Sequence, residues 1–480
     1  MNTTLHSAPH YKTEDNLIVL SYAPNLDWTK QFLNETEYKI LQQSIQRGTT
    51  QITFPQEKRV VIIEIIAPKT ERHQTQELAR RTASKTLGLL RQYKLETATL
   101  IDETNEQLAA FYAQGMVLSN YQFLKYINNK GKIQSSFKRL YLLEDNISTQ
   151  EIDSLNSILE GICAARDLVN EPLSFLTAPQ LSEEIQRLGE EAGFSVKVLD
   201  KEAIINLNMG GLLAVNQGST TPPTFSILEW KPENPKNPHP IVLVGKGVVY
   251  DTGGVSLKPT TNSMDFMKCD MAGSASVIGA TYAIAKAKLP IHIICLVPAT
   301  DNRPGQDAYV PGDVVTMHSG TTVEVMNTDA EGRMLLADAL HYAKQYDPEL
   351  VIDVATLTGA AARALGSQGG VFMGTAPNTT KSALTTAGYE VHERLVEFPL
   401  WDEYAEMLKS DVADIKNLGG AGAGAITAGK FLQHFTDYDW IHIDMAGPAF
   451  MHHEDSYRVK GGTGYGVHLL YNFLSNYLNP

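Results

Sequence analysis

Ile241-Val242-Leu243-Val244-Gly245-Lys246-Gly247-Val248-Val249-Tyr250-Asp251-Thr252-Gly253-Gly254 is an aliphatic run that breaks into glycines, with a lysine and an aspartate five residues apart between them. Consecutive aliphatic residues suit a strand covered on both faces, as in a parallel sheet. Glycines at its end let the backbone approach a ligand closely. Ligands of open α/β sheets sit beyond the carboxyl ends of strands, so Lys246 and Asp251 stand where chemistry is expected. The spacing fits neither the G-x-x-x-x-G-K-[ST] phosphate loop nor the G-x-G-x-x-G dinucleotide fingerprint.

Similar buried-looking runs follow at 291–297, 350–354 and 440–443, separated by helical stretches, and together they predict a mostly parallel sheet flanked by helices. The proline-rich stretch 231–240 and the glycine-rich 419–424 read as connections. Toward the amino terminus, 59–66 reads as a strand and 74–93 as a helix, followed by strands at 97–101 and 140–143 with a helix over 105–123 between them. A further helix over 148–169 is interrupted at Asn170-Glu171-Pro172. The expected fold class is thus α/β with two domains: a small N-terminal α/β domain, residues 1–155, and a larger C-terminal domain, residues 156–480, with a mostly parallel central sheet flanked by helices. A length of 480 residues fits that division.

Hydrophobic residues make up 43% and charged residues 20%, ordinary globular usage. Forty basic against fifty-four acidic residues give a net charge of -14, which argues against nucleic acid as a main partner. Cys163, Cys269 and Cys295 are too few and too scattered for a disulfide framework or a thiolate zinc site. No amino-terminal leader pattern and no long apolar stretch stands out, so a cytoplasmic protein without membrane contact is expected.

The second chemical element is Val323-Glu324-Val325-Met326 leading into Asn327-Thr328-Asp329-Ala330-Glu331-Gly332-Arg333, before a helical pattern over 334–346. In an extended segment Asp329 and Glu331 point to one side and can share a divalent ion. Capping of the following helix is an equal competitor on spacing alone. Asp265 and Asp270 precede a glycine- and alanine-rich helix and could also be caps, while Lys258 reads alone as a surface lysine. His452-His453-Glu454-Asp455 reads as a solvated loop. No H-E-x-x-H helix, G-x-S-x-G elbow or paired-cysteine motif is present.

With "VGKG" at 244–247, "DTGG" at 251–254, "SLKP" at 256–259, "MDFMKCDM" at 264–271, "PGDVV" at 311–315, "NTDAEGR" at 327–333 and "ATLTGA" at 355–360 in order, the chain resembles the leucyl (cytosol) aminopeptidases. "RDLVNEP" at 166–172 and "KGGTG" at 460–464 extend the resemblance over roughly 160–480. Tyr250, Thr252 and Ala272-Gly273-Ser274-Ala275 depart from the commoner family residues without removing a matched position.

The resemblance implies a leucine-type aminopeptidase of broad preference, acting on peptides with a free amino terminus and using two divalent ions per subunit, zinc or manganese with cobalt or magnesium as alternatives. Its metal ligands fall on Lys246, Asp251, Asp270, Asp329 and Glu331, and its catalytic residues on Lys258 and Arg333. A bridging metal-bound water is the implied nucleophile, with Lys258 stabilising the oxyanion and Arg333 holding a bicarbonate that serves as general base. Met267, Thr356, Leu357, Gly359, Ala446 and Ala449 match positions that bind substrate. A homohexamer is also implied, with the N-terminal domain in an assembly or regulatory role.

Overall fold

A computed structural model describes residues 1–22, 26–104 and 106–477. The chain divides into two compact units, Met1–Leu159 with His453–Val459, and Glu160–His452 with Lys460–Pro480.

The first unit holds the strands Thr4–Ala8 (β1), Leu17–Ser21 (β2), Gln51–Pro55 (β3), Val60–Ile65 (β4), Thr97–Asp102 (β5) and Arg139–Leu143 (β6), in the order β1-β6-β5-β2-β4-β3. All neighbours are parallel except β3 with β4. The helix expected over 105–123 is Ala109–Ser119, and Asn105 lies outside the described residues. It stops there because the buried Asn120 side chain donates to Thr3 Oγ1 at 2.6 Å and to the Phe137 carbonyl at 2.8 Å, fixing the chain in a tertiary contact that helical propensity does not encode. Glu64 on β4 is buried, and its carboxylate accepts from Gln51 at 2.7 Å and from the Thr86 hydroxyl, which itself receives the Tyr112 hydroxyl at 2.6 Å. In the 453–459 segment, Asp455 is not simply solvated: it pairs with Arg81 at 2.8 Å, while Tyr457 donates to Glu77 at 2.9 Å.

The second unit contains Ser195–Leu199 (β7), Thr224–Trp230 (β8), Ile241–Gly245 (β9), Gly247–Asp251 (β10), Ile293–Asn302 (β11), Val314–Thr316 (β12), Thr322–Glu324 (β13), Leu350–Ala355 (β14), Gly370–Gly374 (β15), Leu395–Glu397 (β16), Ile415–Lys416 (β17) and Trp440–Asp444 (β18). Its large sheet runs β16-β15-β18-β14-β9-β11-β8-β7, with β10 beside β11. The four runs singled out by composition are its consecutive centre, β18-β14-β9-β11, all parallel. Antiparallel neighbours lie outside that centre, at β15–β18, β11–β8 and β8–β7. Helices Ala272–Lys286 and Gly332–Ala343 pack on β9 and β14 and leave β9 wholly buried, which explains why its sequence does not alternate. A small sheet, β12-β13-β17, leads into the Asn327–Arg333 segment. No described helix is long and apolar enough to cross a membrane.

Candidate metal centre

Most charged residues of the centre come from ends of secondary structure, and Lys258 lies in the loop between β10 and the 3-10 helix Met264–Met271. Lys246 sits between β9 and β10, Asp251 ends β10, Asp270 lies on the 3-10 helix Met264–Met271, and Asp329 and Glu331 lie between β13 and the helix Gly332–Ala343. Asp329 and Glu331 do not converge through an extended alternation. Thr328 and Asp329 form a turn, and Glu331 already has helical angles, φ -75 and ψ -39. The turn nevertheless brings carboxylate oxygens of Asp251, Asp329 and Glu331 within 4.8 Å of one another.

Two ammonium groups stand among these carboxylates. Lys246 Nζ lies 2.8 Å from Asp270 Oδ2 and 2.8 Å from Glu331 Oε1, and donates to the Thr356 carbonyl at 3.0 Å. Lys258 Nζ lies 2.8 Å from Asp251 Oδ2 and also pairs with Asp329. Lys246 reaches its place across Gly332, where an added Cβ would fall 2.4 Å from Lys246 Cε and 2.6 Å from Nζ. Burial alone would lower the pKa of Lys246, but the Asp270, Glu331 and Asp251 charges outweigh it and hold the ammonium above the usual lysine range. The same balance holds Lys258 up. Burial, then the neighbouring Asp251 and Glu331 charges, push Asp329 to about 7.

Four carboxylates outnumber two ammoniums in the cluster, and burial with mutual repulsion pushes Asp270 and Asp329 toward protonation, a cost that bound cations would relieve. Three of its oxygens, Asp270 Oδ2, Asp329 Oδ1 and Glu331 Oε1, are buried and receive no hydrogen bond, although an ammonium is near each. Hard, anionic oxygens whose only close partners are ammonium groups fit a divalent ion.

Arg333 is buried one residue beyond Gly332. Its Nη1 donates to the Asn417 carbonyl at 2.7 Å, while Nε has no hydrogen-bond partner. Burial lowers its pKa to about 10, with Glu331 and Asp444 opposing that shift. It remains a cation at neutral pH. Of the expected substrate contacts, Thr356 touches the cluster, its hydroxyl donating to Asp270 Oδ1 at 2.9 Å. Leu357 and Ala446 are drawn to one carboxylate, their backbone N–H groups donating to Asp444 Oδ1 at 3.1 and 3.2 Å. Gly359 opens the helix Gly359–Leu365, Met267 lies on the same turn as Asp270, and Ala449 is buried.

The profile described as the cytosol aminopeptidase family, catalytic domain, matches residues 163–471. The chain belongs to the cytosol aminopeptidase family. It is a metal-dependent exopeptidase and thus a hydrolase of peptides. A probable cytosol aminopeptidase of Chlorobaculum tepidum is 44% identical to this aminopeptidase over 445 residues, 87% of this chain and 86% of that protein. Among solved structures, the bottromycin maturation enzyme BotP in complex with Mn is similar at 28% identity and a TM-score of 0.83, covering 97% of this chain and 100% of that one. A tomato leucine aminopeptidase mutant is similar at 25% identity and a TM-score of 0.86, covering 99% and 96%.

Several polar residues that hold the candidate centre together carry little or no signal in the sequence. Asp444, at the carboxyl end of β18, accepts from the Thr358 hydroxyl at 2.6 Å as well as from Leu357 and Ala446. Asn417 receives Arg333 on its carbonyl, donates its amide to the Asn327 carbonyl at 2.9 Å and accepts from Met326 N at 2.8 Å. The strand-end rule that selected Lys246 would also have selected Asp444 and Asn302, each closing an apolar strand. Asn417 carries no comparable signal.

Proposed function

We propose that this aminopeptidase removes residues of broad, leucine-type preference from the amino termini of peptides, with two divalent ions held by Lys246, Asp251, Asp270, Asp329 and Glu331. The observation that carries this reading is the convergence of the Asp251, Asp329 and Glu331 carboxylates with Lys258 against two of them. Zinc or manganese suits this set of oxygens and one amine best, with cobalt and magnesium as alternatives. Bound there, such ions supply Lewis acidity and a nucleophile available at neutral pH.

The chain's own residues do the rest. Lys246 acts as a ligand once it sheds its proton. Lys258 stays protonated and places positive charge where the peptide carbonyl oxygen becomes an oxyanion. Arg333, a planar donor with Nε uncommitted, orients a small oxyanion, for which bicarbonate with its capacity as a base is the expected choice. Thr356, Leu357, Gly359, Ala446 and Met267 line the pocket for the first side chain, and the bonds from the Thr356 hydroxyl to Asp270 and from Lys246 to the Thr356 carbonyl tie that pocket to the ligands. Residues 1–155 serve assembly or regulation, residues 156–480 catalysis, and the working form is a cytoplasmic homohexamer.

The test is hydrolysis of leucine p-nitroanilide and unblocked dipeptides by protein stripped with chelator and then reloaded with manganese or zinc. Activity that depends on the added ion and is lost on acetylating the substrate's amino group is expected. Equal hydrolysis of acetylated substrate, or none under any ion, would sink the reading. Light scattering on the same sample reports the hexamer.

A further inference from the structure

Asn302 closes β11 and is wholly buried. Its Nδ2 donates twice, to Asp251 Oδ1 at 2.8 Å and to the Thr328 carbonyl at 2.9 Å, so one carboxamide ties together the two segments that carry Asp251 and the Asp329–Glu331 turn. Its own backbone carbonyl accepts the N–H and the hydroxyl of Thr252 at 3.0 and 2.9 Å. Its two acceptors set the amide orientation, at the expense of Oδ1, which is buried without a donor. Flipping the amide would set Oδ1 against a carboxylate and a carbonyl, both acceptors, and leave their buried lone pairs unmet. Asn302 Oδ1 instead points at Gly254, which has φ +63 and where a Cβ would lie only 2.8 Å away.

The consequence falls on Asp251. Its Oδ1 receives Asn302 and also Gly253 N at 2.8 Å, whereas its Oδ2 faces Lys258 at 2.8 Å. One oxygen is thereby saturated by neutral donors and the other is presented to the cluster. The Thr328 carbonyl has a second donor, the Tyr309 hydroxyl at 2.9 Å, but Tyr309 makes no such bond to Asp251.

We propose that Asn302 is a positioning residue that sets Asp251 Oδ2 and the Asp329–Glu331 turn at the mutual spacing cations require, and so determines their affinity. This rests on reading Asp251, Asp329 and Glu331 as metal ligands. Outer partners that orient a ligand typically contribute about 10- to 100-fold in metal affinity.

The experiment is calorimetric titration of Mn2+ into full-length, metal-stripped protein, with the melting temperature of each metal-free variant measured alongside. Asn302→Leu, with the same heavy-atom branching but bulkier and without donors, is expected to raise the dissociation constant about 10- to 100-fold. Tyr309→Phe, which leaves the Asp251 bond intact, is expected to leave it nearly unchanged, and Asp251→Ala to abolish binding at that position. Where Asn302→Leu does not fold, Asn302→Ser, too short to reach both acceptors, decides the matter by the same shift. A space-filling role would lower the melting temperature of the metal-free protein and leave the dissociation constant alone. Wild-type Mn2+ affinity in a folded Asn302 variant, with binding lost in Asp251→Ala, overturns the role of Asn302. Undiminished binding in Asp251→Ala overturns the ligand reading instead.

Discussion

Arg333 Nη1 donates to the backbone carbonyl of Asn417 at 2.7 Å, so the guanidinium is anchored through one edge while Nε remains uncommitted. Removing the side chain should therefore cost turnover and spare the cations. Arg333→Ala is expected to lower kcat by about 10²-fold or more, the contribution of a positioned base, with metal content unchanged by elemental analysis. In buffer freed of carbon dioxide, added bicarbonate should stimulate the wild type and leave Arg333→Ala unaffected. Stimulation of both to the same degree would separate Arg333 from the anion.

Lys258 and Glu331 share a cluster but differ in charge, and their loss should look different. Lys258→Ala is expected to keep its metal and lose about 10²- to 10³-fold in kcat, as for removal of an oxyanion donor. Glu331→Ala should lose both metal and activity. Elemental analysis of the two proteins is the discriminating measurement, and equal metal loss would make Lys258 a structural counter-ion.

Gly332→Ala should act through Lys246. The new Cβ would fall 2.4 Å from Lys246 Cε, so the lysine must withdraw from Asp270 and Glu331. A destabilisation of about 2 kcal/mol is expected in denaturant titrations, the range for overpacking a filled interior. Weaker metal binding should accompany it.

How much of this was legible in the sequence depends on the range of the contacts. β9, β11, β14 and β18 announce themselves because strands buried on both faces need unbroken aliphatic runs, whereas the short outer strands β15 and β16 carry no such run. Lys246 and Asp251 follow from strand ends. Asp270 and Lys258 do not, since a cap and a surface lysine have the same local sequence, and only tertiary convergence, or resemblance to a family, separates the cases. The spacing of Asp329 and Glu331 predicts a shared side through an extended segment, whereas a turn brings their carboxylates near Asp251. Asn302 and Asp444 close strands, so their positions were legible though their partners in distant segments were not, and Asn417 carries no local signal.

Glu64 provides a pH test away from the centre. Burial pushes its folded pKa to about 7 from an ordinary 4.5, against the hydrogen bonds of Thr86, Gln51 and Tyr112. Between those values the folded chain holds a proton that the unfolded chain releases. The contribution to stability is therefore full below pH 4.5 and lost as pH rises through 7. Glu64→Gln should flatten this dependence, with a relative gain at pH 8 of at most about 3 kcal/mol. Urea titrations of the full chain and of Glu64→Gln at pH 5.5 and pH 8 measure it; the same difference between the two pH values in both proteins would count against the shift.

Asp444 has a consequence in time as well as in space. The charged groups of the centre lie within residues 246–333, yet the carboxylate that pins Leu357 and Ala446 belongs to β18, at residues 440–444. A chain leaving the ribosome thus exposes every acidic and basic group of the centre more than a hundred residues before the pocket beside them can take shape. The pocket proposed for the first side chain therefore waits on β18, whichever of the charged residues have already left the ribosome.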